Sequence, residues 1–334
     1  MPTLLSLADR PARSCASAVV VAASLLLLSG CSDSGGDHPK PSSADEAKAQ
    51  GAPADASPQP STPAKVTTGP ELDFDLTPGN GKTVGVGQPV SLQFHKPVKN
   101  KAAVENALTV TTDNGTEGSW GWVKTPTGYD RLDWRPKDYW TPNTKVRVQG
   151  DLTVVDPGNG HFTRTLDRAF TIGRDQRMVA DLDKHTLTVT RDGQAVKTIP
   201  MSGGEPVKDR ASRPGIFVLK TKEEQVRMTS ASVGGPKEYD TLVQWAMRFT
   251  DTGGYLHAAP WADDKGDLGK KNTSAGCIGM SDTNSKWLFE NSQLGDLVTI
   301  QGQEATGPLG GPGNGYADWN LTWDQWQALS AAHS

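Results

Sequence analysis

Between Glu71 and about Gly173 the chain never sustains an apolar spacing long enough for a helix. Short β-rich stretches, Val84 to Phe94, Ala107 to Thr111, Ser119 to Val123, Tyr129 to Trp134, Lys145 to Gly150 and Thr163 to Ile172, are cut apart by Pro-Gly, Asn-Gly, Pro-Asn and Asp-Pro-Gly steps. Proline fixes φ and lacks a donor, and glycine admits turn conformations, so each step ends a strand. A segment punctuated in this way buries its apolar side chains by packing sheet on sheet, and the reading is a β-sandwich. Trp120, Trp122, Trp134 and Trp140 fall on or beside these strands. Core and interdomain packing is the expectation for them, with a glycan-stacking surface as the alternative.

Upstream the composition changes twice. Arg10 and Arg13 precede an apolar run from Ala16 to Leu28, too short for a stable bilayer span but suited to the h-region of an export signal. The run ends in Leu28-Ser29-Gly30-Cys31, which resembles the lipobox of bacterial lipoproteins. The expectation for residues 1–31 is therefore a lipoprotein signal with Cys31 as the lipidated residue; the alternative is a plain secretory signal. One acyl chain gives only marginal attachment, so stable anchoring implies more than one, palmitate among them. The expected location is the outer face of the cytoplasmic membrane, facing the cell wall. Residues 32–70 are Ser, Pro, Ala, Gly, Asp and Lys with almost no large apolar residue, the composition of a disordered tether.

A second unit opens at Arg174. Thr186 to Thr190 and Gln194 to Met201 flank Arg191-Asp192-Gly193, and Asp-Gly is a strong hairpin signal. The chemistry concentrates between Tyr255 and Met280. The sequence has three cysteines; Cys15 leaves with the signal and Cys31 is lipidated, so Cys277 remains alone. Free thiols are unusual where disulfides are favoured, so Cys277 is a candidate nucleophile, with a buried structural cysteine as the bland alternative. A thiol has a pKa of roughly 8.5 and needs a neighbouring imidazolium or aimed N–H groups to become thiolate. His257 is the candidate imidazole. Ser274, Gly276 and the Cys277 amide lie in a small-residue turn whose backbone donors suit an oxyanion hole. Asp282 to Gln293 reads as the best helix, Asp296 to Ile300 as a closing strand. Beyond it, Trp319, Trp323 and Trp326, spaced i, i+4, i+7, read as one face of a short helix in a tail, residues 303–334, that packs back.

His257, sixteen intervening residues (258–273), then Ser274-Ala275-Gly276-Cys277 resembles the signature of the L,D-transpeptidases of the YkuD type. The flanks HAAPW, NTS and SDTNSKWLFENSQLGD are similar to the actinobacterial branch, and Ser212-Arg213-Pro214-Gly215-Ile216-Phe217 resembles the family's threonine-Pro-x-Gly-x-phenylalanine strand entry. VGVGQPVSLQFHKPV, GSWGW and DWRPKDYW resemble the Ig-like module that precedes that catalytic domain. The resemblance implies a mainly β chain: an Ig-like β-sandwich without the usual disulfide at 71–173, a YkuD-type β-rich catalytic domain with a short helix at 174–302, and the Trp-rich C-terminal segment. It also implies peptidoglycan stem peptides as donor and acceptor, 3–3 cross-links made through a Cys277 acyl-enzyme, and carbapenem-type β-lactams as covalent inhibitors. His257 is then the general acid/base, the Ala258 carbonyl its ring partner, and Gly276 an oxyanion donor. Met228 and Tyr239, in the Lys220 to Arg248 flap, line the substrate channel, with Tyr255, Trp261, Asn272 and Ser274 as further substrate-side residues. The departure is Ala275, where the signature has a second histidine, with Gly279 where asparagine is common. An L,D-carboxypeptidase, or a catalytically impaired wall-binding lipoprotein, is the alternative that this departure raises.

The formal net charge is −4 with no basic cluster, which speaks against nucleic acid as a partner. His185 and His257 share no ligand spacing and no phosphate-binding glycine loop precedes a helix, so the expectation is neither metal nor cofactor.

Overall fold

The computed structural model describes residues 62–207, 209–233, 240–306 and 311–332, and the chain from Ser61 onward forms one compact unit. Its first part carries β1 (Phe74–Thr77), β2 (Thr83–Val84), β3 (Val90–Phe94), α1 (Lys101–Asn106), β4 (Thr109–Thr112), β5 (Gly118–Lys124), β6 (Asp130–Pro136), β7 (Lys145–Asp151) and β8 (Thr165–Ile172). One sheet has the order β1-β3-β6-β5 and the other β2-β8-β7-β4. Leu92, Phe94, Leu132 and Trp134 from the first share a core with Val146, Val148, Phe170 and Ile172 from the second. The fold is thus mainly β and Ig-like here, as the turn chemistry predicts.

Two local expectations need correction. Val84 to Phe94 is not one strand, because residues 85–87 leave the sheet: the Gly85 and Gly87 amides donate to the carbonyls of Leu294 (2.7 Å) and Gly295 (2.9 Å). Glycine is required at 85, where a Cβ would sit 2.4 Å from the Asp296 amide nitrogen. The helix α1 precedes β4, too short to show a period; its start is fixed by Asn100, whose side chain accepts from the Ala103 amide at 3.2 Å. The four tryptophans are buried, with Trp134 and Trp140 stacked at 5.2 Å, so they form core and not a glycan surface.

The second part carries β9 (Gln176–Asp181), β10 (Thr186–Arg191), β11 (Gln194–Ser202), β12 (Gly215–Val218), β13 (Thr221–Thr229), α2 (Ser230–Val233), β14 (Asp240–Arg248), β15 (Tyr255–Ala258), α3 (Pro260–Asp264), β16 (Ile278–Met280), α4 (Asp282–Asn291) and β17 (Leu297–Gln301). These strands form one sheet in the order β12-β17-β9-β10-β11-β16-β15-β14-β13. The β10–β11 turn places Asp192 and Gly193 at φ 47° and 79°, the conformation an Asp-Gly hairpin prefers. Ser281 caps α4 by accepting from the Asn284 amide, and the helix stops at Asn291, two residues before its expected end.

The tail departs from the single helix expected of it. Trp319 lies on a 3-10 turn, Asp318–Asn320, and only then does α5 (Trp323–Gln327) begin. The three indoles nonetheless converge on the Arg135 guanidinium, at 4.7, 5.5 and 5.0 Å for Trp319, Trp323 and Trp326. The reason lies in β6. Leu132 and Trp134 point into the sandwich core, so Arg131, Asp133 and Arg135 occupy the opposite face of the strand. The tail covers that charged face. Arg131 pairs with Asp133 (2.7 Å), approaches Asp318 (3.7 Å) and Asp251 (3.8 Å), and donates to the carbonyls of Pro312, Gly313 and Gly315. Burial, and next the charge on Asp133, push the Asp318 carboxyl well above the ordinary carboxylate range.

Candidate active site

Two parallel strands build the site. β15 and β16 pair with Leu256 opposite Ile278 and His257 opposite Gly279. Side chains alternate along a strand, so His257 and Gly279 emerge on one face. Cys277, the residue before β16, falls on that same face. The thiol and the imidazole line one cavity of about 240 Å³. That shared wall requires the parallel register: a slip of one residue would turn His257 into the opposite face.

The imidazole is oriented by its own backbone. His257 Nδ1 lies 2.7 Å from the Ala258 carbonyl; a carbonyl only accepts, so Nδ1 carries the proton and Nε2 of the neutral ring is the free base. Burial pulls the His257 pKa below its ordinary value, against the Ala258 hydrogen bond. Burial pushes the Cys277 thiol up to about 11, against a backbone hydrogen bond from Tyr255. The sulfur lies 3.6 Å from the Gly253 carbonyl, to which the thiol donates. The site therefore holds a thiol and a neutral imidazole, not the ion pair that a lowered thiol pKa would need.

The motif turn is held internally. Ser274 Oγ donates to the Cys277 carbonyl (2.6 Å) and accepts from the Gly276 amide (3.1 Å). Gly276 sits at φ 118°, a conformation that glycine alone adopts readily. Ser212 Oγ donates to its carbonyl at 2.9 Å. Two expectations change as a result. The Gly276 N–H is already engaged, so it is not a free oxyanion donor in this arrangement. The Ser274 hydroxyl is spent on the turn, although the residue does line the cavity.

Of the other residues singled out, Met228 and Trp261 line the cavity. The Trp261 ring lies 6.0 Å from His257 and is 38% exposed, so it touches both the histidine and the open side. Tyr255 is packed with Met228, Val243, Ala246 and Cys277 behind the thiol and does not line the cavity. Asn272 is also not a substrate contact: its Oδ1 accepts from the Gly203 amide, and its Nδ2 donates to the Leu182 carbonyl and to Glu304. It joins three segments beneath the motif. Tyr239 and Cys31 lie outside the described residues. The cavity wall also includes Ser202, Arg210 and Thr273, which the motif spacing does not mark. Ala275 is exposed on that wall.

Residues 175–300 match the family described as the L,D-transpeptidase catalytic domain, and residues 43–156 match a bacterial Ig domain. The chain is 33% identical over 231 residues to L,D-transpeptidase 1 of Mycobacterium tuberculosis (strain H37Rv), covering 68% of this chain and 84% of that protein. It is 34% identical over 264 residues to L,D-transpeptidase 2 of M. tuberculosis (strain CDC 1551), covering 77% of this chain but 62% of that relative. It thus spans less than two thirds of the latter's length. Among solved structures, L,D-transpeptidase LdtMt1 in complex with imipenem aligns with a TM-score of 0.57 at 32% identity, covering 70% of this chain and 99% of that one. An L,D-transpeptidase from Mycobacterium smegmatis aligns with a TM-score of 0.54 at 28% identity, covering 69% and 99%. The sheet order, the histidine on β15 with the cysteine just before its parallel partner β16 and these likenesses together define the class: the chain belongs to the L,D-transpeptidase family.

Ala275 gives a direct test of the site's electrostatics. An imidazole there would share the cavity with Cys277, and its protonated form would favour the thiolate. Ala275→His is expected to move the pH midpoint for alkylation of Cys277 downward from about 11 and to speed acylation at neutral pH. Iodoacetamide trapping across pH, read by intact mass, measures this; an unchanged or higher midpoint would show that the site lacks nothing at that position.

Proposed function

We propose that this protein is a peptidoglycan L,D-transpeptidase that forms 3–3 cross-links through a thioester on Cys277. The observation that supports this best is the joint presentation of Cys277 and His257 to one cavity, with Nδ1 committed to the Ala258 carbonyl and Nε2 left as base. In this reading His257 Nε2 takes the thiol proton as sulfur attacks the carbonyl between diaminopimelate and D-Ala of a tetrapeptide stem. The tetrahedral intermediate collapses as the same proton passes to the leaving amine, D-Ala departs, and a thioester remains. An acceptor stem amine then attacks the thioester and yields its proton to His257, restoring the thiol. The Cys277 amide remains as the candidate oxyanion donor from the turn, a class of contact worth about 3 kcal/mol. The bound imipenem of the LdtMt1 structure supports carbapenem-type β-lactams as acylating inhibitors of this chain too.

The high thiol pKa and Ala275 favour a slow acylation step. They also keep two readings in view: an L,D-carboxypeptidase, in which water replaces the amine, and a wall-binding protein without turnover. Incubation with a tetrapeptide stem, with and without an acceptor stem, followed by mass spectrometry, separates them. A cross-linked dimer is expected only when both stems are present; tripeptide alone would mean the carboxypeptidase, and unchanged substrate the impaired protein. The localisation we infer is attachment through Cys31 to the outer face of the cytoplasmic membrane, on the strength of the apolar run and the Leu-Ser-Gly-Cys step. Metabolic labelling with a palmitate analogue, lost in Cys31→Ala, is the corresponding measurement.

A further inference from the structure

Residues 203–207 and 209–212 are stitched to the motif turn. The Ser274 amide donates to the Gly203 carbonyl (2.9 Å) and the Glu205 amide to the Ser274 carbonyl (3.0 Å), while Ser212 bridges Gly204 and Gly276. Arg210 rides on this platform. One of its terminal nitrogens, Nη2, donates to the Thr273 carbonyl at 3.0 Å, and the other, Nη1, pairs with Glu205 at 2.5 Å. The guanidinium is thereby fixed at the wall of the cavity that holds Cys277 and His257. Among the described residues lining that cavity it is the one formal charge, since the thiol and the imidazole are held neutral by burial. Ala275, small and exposed, stands on the same wall.

A fixed cation in a small, otherwise uncharged cavity selects a ligand with an anion close to the reacting carbonyl. Arginine presents five N–H donors in a planar fork, and the two bonds above leave others available. The Glu205 pair is half exposed and so offers weak competition. In the donor stem, the group that leaves is a single D-residue whose carboxylate lies three bonds from the attacked carbonyl carbon. The geometry points to Arg210 as the specificity-determining residue that recognises this C-terminal carboxylate and thereby selects tetrapeptide donors. The inference rests on the transpeptidase reading above and names the residue that would set its donor preference. No bond is made or broken at Arg210; it orients the leaving residue so that the scissile carbonyl faces the sulfur.

The test uses full-length protein carrying Cys277→Ala, which cannot form a thioester, and two synthetic ligands: a tetrapeptide stem with a free C-terminal carboxylate and the same peptide as its carboxamide. Calorimetry is expected to show the acid binding roughly 10- to 100-fold more tightly than the amide, the range for a charge-assisted hydrogen bond. Adding Arg210→Gln should erase that preference by weakening the acid alone, and Arg210→Lys, which keeps the charge without the fork, should retain part of it. With the cysteine intact, Arg210→Gln should raise KM and lower kcat for the acid donor, while leaving turnover of the amide donor nearly as it is in the unsubstituted protein. Equal weakening of acid and amide, or none, would overturn the assignment of Arg210 while leaving the transpeptidase reading in place. Failure of both peptides to bind, together with no turnover by the unsubstituted protein, would overturn the reading itself.

Discussion

Cys277→Ser is expected to lower turnover roughly a thousandfold or more and to eliminate covalent labelling by a carbapenem. The structure sharpens the reason. Even the thiol is held up at about 11 by its buried position, and a hydroxyl is several units less acidic again. His257, whose own pKa burial depresses, is a weak base for so poor an acid. The serine variant should fold normally, because oxygen in place of sulfur removes little volume and the Gly253 carbonyl 3.6 Å away can accept from the hydroxyl. Intact-mass spectrometry after incubation with imipenem reads the outcome directly, with thermal unfolding as the control for fold. A retained adduct would remove Cys277 from the role of nucleophile and would send the search to another residue.

The largest effect on stability is expected at Arg131, far from the thiol. Its guanidinium is buried with Asp133 and Asp318, whose carboxylates lie 2.7 and 3.7 Å away, and it satisfies three carbonyls of residues 312–315. Arg131→Met keeps much of the volume but leaves buried acceptors without a donor, a class of change that costs about 3–5 kcal/mol. Part of that cost can be relieved by protonating Asp318, so the variant should recover stability as pH falls. The sign follows from linkage: a carboxyl whose folded-state pKa is raised binds more protons folded than unfolded, and stability is lost as pH rises through the folded value. Urea denaturation at two pH values checks both parts. A midpoint within about 1 kcal/mol of the parent protein at neutral pH would mean that the tail is held by its tryptophans alone.

How much of this was legible beforehand differs by kind of interaction. Asp192-Gly193 and the proline and glycine steps act within a few residues, so the strands they separate could be read with ends nearly right. The helix α1 could not, since six residues carry no period and its cap is a single asparagine. In the site, the lone thiol and the resemblance of the His257-to-Cys277 stretch to a family signature marked both residues, and the parallel register brings them to one face. That signature gave no sign of Arg210, which reaches the cavity through backbone bonds between residues 203–205 and Ser274, in a loop tight enough that a Cβ at Gly204 would sit 2.2 Å from the Arg210 carbonyl. Asn272 and Ser274 misled in the other direction: polar residues beside a nucleophile look like substrate contacts, yet buried polar groups must be paired, and these two are spent inside the protein. The alternation of charge and apolar residues in Asp130–Pro136 was visible as a pattern. What the sequence did not disclose was that the charged face would be covered, because its cover comes from about 180 residues downstream, as in the Arg131 bond to Gly315.

That distance sets an order of events in the life of the chain. The Trp122 amide donates to the Leu329 carbonyl and the Trp326 indole to the Ser119 carbonyl, so the first sheet borrows its outer covering from residues synthesised long after its own strands. A nascent chain can assemble the inner core of the sandwich early, but with Arg131, Asp133 and Arg135 facing water it has no reason to expel that water until residues 312–331 arrive. The segment 312–331 thus completes that face. A chain truncated before it would present an open, charged and aromatic-poor strand face, distinguishable from a finished molecule by any protease or chaperone that samples loosely held surface.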